Sequence, residues 1–171
     1  MSRRLPVVLA MVMLSACGTG EQPQTPQPRD GRAGLQLAGT VAGSHVAVSD
    51  GSPDLIVGDC DVVGGAARDV CVISRDLRGE EVTIVVRNPD VLVEGKTVPV
   101  EDPGCAGAAC DAVTDVAVVD VRLGEEYQRR ATGGALTLTA VEERLHYAGG
   151  LRLDLPDGAL SGHFDVVPRP D

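Results

Sequence analysis

From Leu35 onward, apolar and polar residues alternate in short runs broken by Gly, Pro, Asn or Asp, the period-two pattern of antiparallel strands. Strands are predicted over 35–41, 45–49, 55–58, 70–74, 81–87, 91–94, 97–100, 113–122, 135–142, 144–148, 151–155 and 159–167, with some expected to merge or to prove loops. The signal is strongest near the end of the chain. Leu145 and Tyr147, then Leu151, Leu153 and Leu155, then Leu160, Phe164 and Val166 recur at every second or fourth position, with Gly149-Gly150 and Pro156-Asp157-Gly158 as the expected turns. This meander is expected to supply one face of a core. Val116, Val118, Val119 and Val121 are too apolar for a sheet with one wet face, which places their strand centrally or between two sheets. The one predicted helical turn is Gly124 to Arg130, where Glu125/Arg129 and Glu126/Arg130 stand four apart. A charged loop explains that stretch equally well.

Composition strengthens the strand reading. The 26 valines favour a pleated surface through their branched side chains, while 21 Gly and 11 Pro interrupt any long helix. The expected fold is all-β: an antiparallel β-sandwich or flattened barrel of about ten short strands, since both bury two inner faces and leave few open edges. Tyr127, Tyr147 and Phe164 are the only aromatic residues, so the core must be aliphatic and a stacking platform for sugars or bases is not expected. At 171 residues the chain has room for one ordinary domain. Its formal charge of −10 repels a phosphate backbone, so nucleic acid is not expected as a partner.

The first residues follow a different logic. Arg3 and Arg4 precede an apolar stretch from Leu5 to Leu14, which is too short to span a bilayer, and Ser15-Ala16 leads into Cys17. This is the three-part layout of a secretory signal. Leu14-Ser15-Ala16-Cys17 resembles the lipobox of bacterial lipoproteins, and the resemblance covers residues 1–17 only. It implies that residues 1–16 are a signal peptide, that Cys17 carries a diacylglyceryl group, and that the protein is lipid-anchored outside the cytoplasm on a bacterial cell membrane. Two or more acyl chains on one residue hold a protein durably where a single chain does not. Residues 17–34, with Pro23, Pro26 and Pro28 among Gln, Thr and Gly, read as the lipidated Cys and a flexible tether. At ~3.1 Å per residue, an extended tether of this length reaches on the order of 50 Å. Residues 35–171 then form a single β-rich domain.

Four cysteines remain. An even number in an exported domain points to two disulfides, and of the three possible pairings sequence proximity favours Cys60–Cys71 and Cys105–Cys110. Their spacings suit neither a zinc site nor a redox pair, so their role is expected to be structural. His45, His146 and His163 are scattered; His146 and His163 fall on the strand faces opposite Tyr147 and Phe164 and are expected to face solvent. The functional alternative is that two of them meet on one outer face. Asp50-Gly51-Ser52-Pro53-Asp54 and Asp59-Cys60-Asp61 offer oxygen ligands for Ca²⁺, but their spacing is not that of an EF-hand, and turn-capping is the favoured reading. No metal and no cofactor is expected. Tyr127, Arg129 and Arg130 are the most basic local group and the binding candidates.

No nucleophile elbow, phosphate loop or His-Glu-x-x-His run is present. The expected function is therefore a non-catalytic binding or envelope-interaction module, with the membrane as one partner through its anchor and a protein or small molecule as the other. The first alternative is a carrier of an apolar or lipid ligand in a β-lined cavity. The second is a hydrolase whose carboxylates, Asp59, Asp61, Asp115 and Asp120, come together only in the fold.

Overall fold

In the computed structural model, which describes residues 34–58, 60 and 65–168, the alternating pattern becomes two antiparallel sheets packed face to face. The expected signal peptide, Cys17, all but the last residue of the tether, Asp59 and Asp61 lie outside the described residues. The strands in chain order are β1 (Gly34–Val41), β2 (Ser44–Asp50), β3 (Asp54–Val57), β4 (Val70–Arg75), β5 (Glu81–Val86), β6 (Thr97–Pro99), β7 (Val119–Leu123), β8 (Tyr127–Arg130), β9 (Gly133–Glu142), β10 (His146–Leu155) and β11 (Gly158–Val166). One sheet runs β2-β1-β11-β10-β9-β6 and the other β3-β4-β5-β7-β8. The fold is thus an all-β sandwich. Isolated bridges Val48↔Asp76 and Val100↔Ala117 tie the two sheets together at their margins.

The core is aliphatic, as the shortage of rings requires. On the six-stranded sheet the inner rows mix large side chains with glycine: Leu35–Phe164–Gly149–Leu138 in one, and Leu37–Gly162–Leu151–Leu136–Val98 in the next. Large beside small lets the rows interlock with Val70, Ile84, Val86, Val119 and Val121 from the facing sheet. The glycines are required there. A Cβ on Gly162 would overlap the Gln36 carbonyl oxygen, and one on Gly149 would overlap that of Thr137.

Several expectations are corrected. Gly149-Gly150 is not a turn: it lies within β10, where the register shifts between Ala148 and Gly149, so strands 144–148 and 151–155 are one. The true turn is one step earlier, where Arg144 takes a positive φ of 64° and the Leu145 N–H donates to Glu142 O. Leu145 is accordingly 55% exposed, outside the core stripe. Segment 91–94 is not a strand, because Pro89 opens a 3₁₀ turn, Pro89–Val91, whose bonds consume the local backbone donors. The 113–122 strand begins only at Val119. Before it, the Asn88 side chain donates to Val113 O and Val116 O and accepts from the Val118 N–H, pinning an irregular segment behind the 3₁₀ turn Gly107–Ala112. Gly124 to Arg130 is a tight turn followed by β8, not a helical turn. Of the run expected at a sheet-to-sheet interface, Val118, Val119 and Val121 are fully buried and β7 lies between β5 and β8, whereas Val116 is half-buried in the segment before the strand.

Candidate functional site

The outer face of the five-stranded sheet carries a row of buried charges. Register places Asp69, Arg87 and Asp120 at adjoining positions beside the ends of β4, β5 and β7, with Arg130 opposite Asp120 on β8. Arg87, 2% exposed, donates from Nη1 to Asp69 Oδ2 at 2.5 Å and from Nε and Nη2 to Asp120 Oδ2 at 2.8 and 2.6 Å. Arg130 Nε donates to Asp120 Oδ1 at 2.8 Å, and its Nη1 reaches Cys105 O and Asp102. Two disulfides border the row: Cys71 stands two residues past Asp69, and Cys105 O accepts from Arg130. Cys60 is joined to Cys71 and Cys105 to Cys110, the pairs favoured by proximity, with Cα separations of 6.2 and 5.2 Å. One polar atom is left over. Asp69 Oδ1 has no partner among the described residues, and burial pushes the Asp69 carboxyl above its ordinary range despite the Ala66 N–H and Arg87 beside it.

The proposed binding residues divide between two roles. Arg130 belongs to the ion row. Arg129 lies 5.3 Å from the centre of the Tyr127 ring, and the Tyr127 hydroxyl donates to Asp157 at 2.7 Å, so burial and that acidic neighbour push its ionisation up. Asp120 is committed to two arginines, and Asp115 is an exposed loop residue rather than a member of the same strand. Asp50 caps its own turn by accepting from the Ser52 N–H at 2.8 Å, and it also accepts from the Ser74 hydroxyl of β4 at 2.6 Å. His146 Nε2 lies 2.8 Å from Asp165 Oδ1 on the outer face of the six-stranded sheet, with His163 two residues away on the same face of β11, whereas His45 is exposed on β2. Among the described residues no group of three or more His, Cys, Asp or Glu is placed to hold a metal ion.

A cleft that sequence reasoning missed opens at one end of the sandwich. Its mouth, about 330 Å³, is walled by Val57, Arg68, Asp90, Val141, Glu143 and Arg144. Two ion pairs edge it: Arg68 Nη2 with Asp90 at 2.5 Å, and Arg144 Nε with Glu143 at 3.9 Å. Val70, Leu92 and Tyr147 continue inward as the shared wall of an apolar throat between the sheets, where Leu35, Ile84, Leu136 and Phe164 face one another. The throat is a void of about 40 Å³ within the packed core. Local structure sets the rim. The Arg144 N–H donates to the Tyr147 hydroxyl at 3.1 Å, which fixes the β9–β10 turn over the mouth, and the Pro89 turn carries Asp90 to Arg68. Nothing in strand periodicity marks this site, because Arg68, Asp90 and Arg144 all sit in connections.

Chemically, the two regions differ. Arg87 and the acids beside it are buried, but Asp120 and Arg130 also line an open hollow of about 330 Å³ with Asp102, Gln128 and Arg129, while the cleft offers apolar area behind a rim of opposed charges. No protein-family model, curated protein or solved structure matches the chain.

Proposed function

We propose that the protein is a non-catalytic binding module, held outside the cytoplasmic membrane of a bacterium by lipid on Cys17, with the cleft as its ligand-facing end. The observation that carries this reading is the cleft itself: a mouth of about 330 Å³ is at the lower bound of small-ligand sites, and its polar rim with an apolar interior is their usual composition. The acids that a hydrolytic reading needs support it too. Asp120 is bonded to both Arg87 and Arg130, and Asp115 lies apart from it in an exposed loop.

The test follows the anchor and the activity together. Cells expressing the full chain are labelled with radioactive palmitate and fractionated, beside cells expressing Cys17→Ala. Label in the wild-type protein, and release of the variant from membranes, are expected. An unlabelled protein that stays with membranes in both forms contradicts the placement, and turnover of an envelope-derived ester or peptide that is abolished by Asp120→Asn contradicts the non-catalytic role.

A further inference from the structure

We infer that the Cys105–Cys110 disulfide is a thiol-exchange site, at which Cys105 takes a thiol-bearing partner as a mixed disulfide and Cys110 is the sulfur released. The two disulfides of the domain differ in access. Cys60 and Cys71 are 4% and 0% exposed and pack with Val85 and Ile73, which closes off that bond. In the second pair only Cys110 is sealed, at 0% exposure, while Cys105 is partly exposed and lines the open hollow of about 330 Å³ beside Gln128, Arg129 and Arg130. Its own segment keeps it open. Gly104 before it and Ala106, Ala108 and Ala109 after it are exposed, and from 104 to 109 no residue but Cys105 carries more than a methyl group. One reachable sulfur bonded to one buried sulfur gives an incoming thiol a single point of attack. The five-residue spacing gives no hint of this, since it is the fold that brings Arg130 and the hollow to the bond.

Charge supports the same sulfur. Arg130 Nη1 lies 3.8 Å from Cys105 Sγ and donates to Cys105 O, and the guanidinium is held in place by Asp120. The attacking species in exchange is a thiolate, so a cation beside the target sulfur favours its approach and the negative charge shared among three sulfurs as the bonds change. The acids of the hollow, Asp102 and Asp120, are both paired with Arg130. Loop length adds a third argument. A disulfide across a separation of 5 constrains the unfolded chain less than one across 11, so opening Cys105–Cys110 forfeits less of the fold than opening Cys60–Cys71. In the exchange step the incoming thiolate forms a bond to Cys105 Sγ as the Cys105–Cys110 bond breaks. That bond's electron pair leaves with Cys110 Sγ, which solvent then protonates. One disulfide and one thiolate give one disulfide and one thiolate, so no oxidant is required, and attack by Cys110 on the mixed disulfide reverses the step. The exchange is stoichiometric and stands apart from the cleft.

The test uses the oxidised full chain as Cys17→Ala, in which the two disulfides hold every remaining cysteine, so the result does not depend on the anchor. Glutathione stands for a small thiol and a reduced single-cysteine peptide for a protein thiol. After an acid quench, mass spectrometry of the digested protein locates each adduct. A mixed disulfide on Cys105 with Cys110 free is expected, formed at least about tenfold faster than any adduct on Cys60 or Cys71. An adduct from glutathione alone assigns a small-thiol partner and one from the peptide a protein partner; either supports the site. Once free thiol is removed, the adduct is expected to decay as Cys110 re-forms the bond, and to persist in Cys110→Ser loaded with glutathione disulfide. No adduct on Cys105, an adduct on Cys110 with Cys105 free, equal rates at the two disulfides, or an adduct that forms only in urea overturns the assignment.

Discussion

Replacing Asp120 by Ala removes the acid that joins two arginines. Its Oδ2 accepts two bonds from Arg87, which is 2% exposed, and its Oδ1 accepts one from Arg130. Breaking a buried pair by deleting one partner costs about 3–5 kcal/mol, because the remaining charge stays desolvated. Arg87 still reaches Asp69, so the lower figure, about 3 kcal/mol, is expected here. For a domain of this size that lowers Tm by roughly 10–15 °C. Calorimetry and urea unfolding at pH 7 measure it, with Asp102→Ala as the control. Asp102 meets Arg130 at 3.5 Å with its side chain 40% exposed, and its loss is expected to cost under about 1 kcal/mol. Equal effects of the two substitutions would refute the view that the row is a buried structural unit. A further check comes from replacing Asp69, Arg87 and Asp120 together by Leu, Met and Leu, which is expected to recover much of the loss since the fully buried Arg87 is then gone and the more exposed Arg130 keeps Asp102 and Cys105 O.

Paired Cys→Ala replacements are expected to cost about 3 kcal/mol for Cys60–Cys71 and about 2 kcal/mol for Cys105–Cys110, following their loop lengths, as read by urea midpoints. Gly162→Ala is expected to cost about 1–3 kcal/mol because the new methyl meets the Gln36 carbonyl; an unchanged melting temperature contradicts the packing described. Burial opposes ionisation of Asp76, but the Arg78 side chain and the Glu80 and Arg78 N–H groups outweigh it and hold the carboxyl below its usual value. The unfolded chain therefore binds more protons in that window, so Asp76 stabilises above the ordinary carboxylate range and the gain is lost as pH falls through its folded value. Asp76→Asn is expected to flatten the acid limb of a stability–pH curve. Asp69 runs the other way, its folded value being raised: its contribution is present below the ordinary value and is lost as pH rises through the folded one.

The sandwich was legible because its strands alternate: Leu35, Leu37, Leu151, Leu153, Leu155 and Leu160 all face the core at period two. Connections were less so. A Gly-Gly pair signals a turn in isolation, but in β10 Gly149 makes room opposite Phe164, a tertiary requirement that local sequence does not carry. Pro89 was a visible break that the apolar run Val91–Val93 masked. Disulfide pairing followed from proximity. Arg130 read as the partner of Glu126 four residues away and as a binding candidate, whereas its acid is Asp120 across β7 and β8. The cleft could not be read at all, since its rim unites residues 68, 90 and 144 from three separate connections.

Hydrogen exchange of the full chain, with and without a solubilised, thiol-blocked envelope extract, bears most directly on the claim that the cleft is the ligand-facing end of the sandwich. Protection is predicted at 89–93 and 143–147, with no change at Asp102, Cys105–Cys110 or Tyr127–Arg130. Protection over those latter segments instead, or none anywhere, would contradict it.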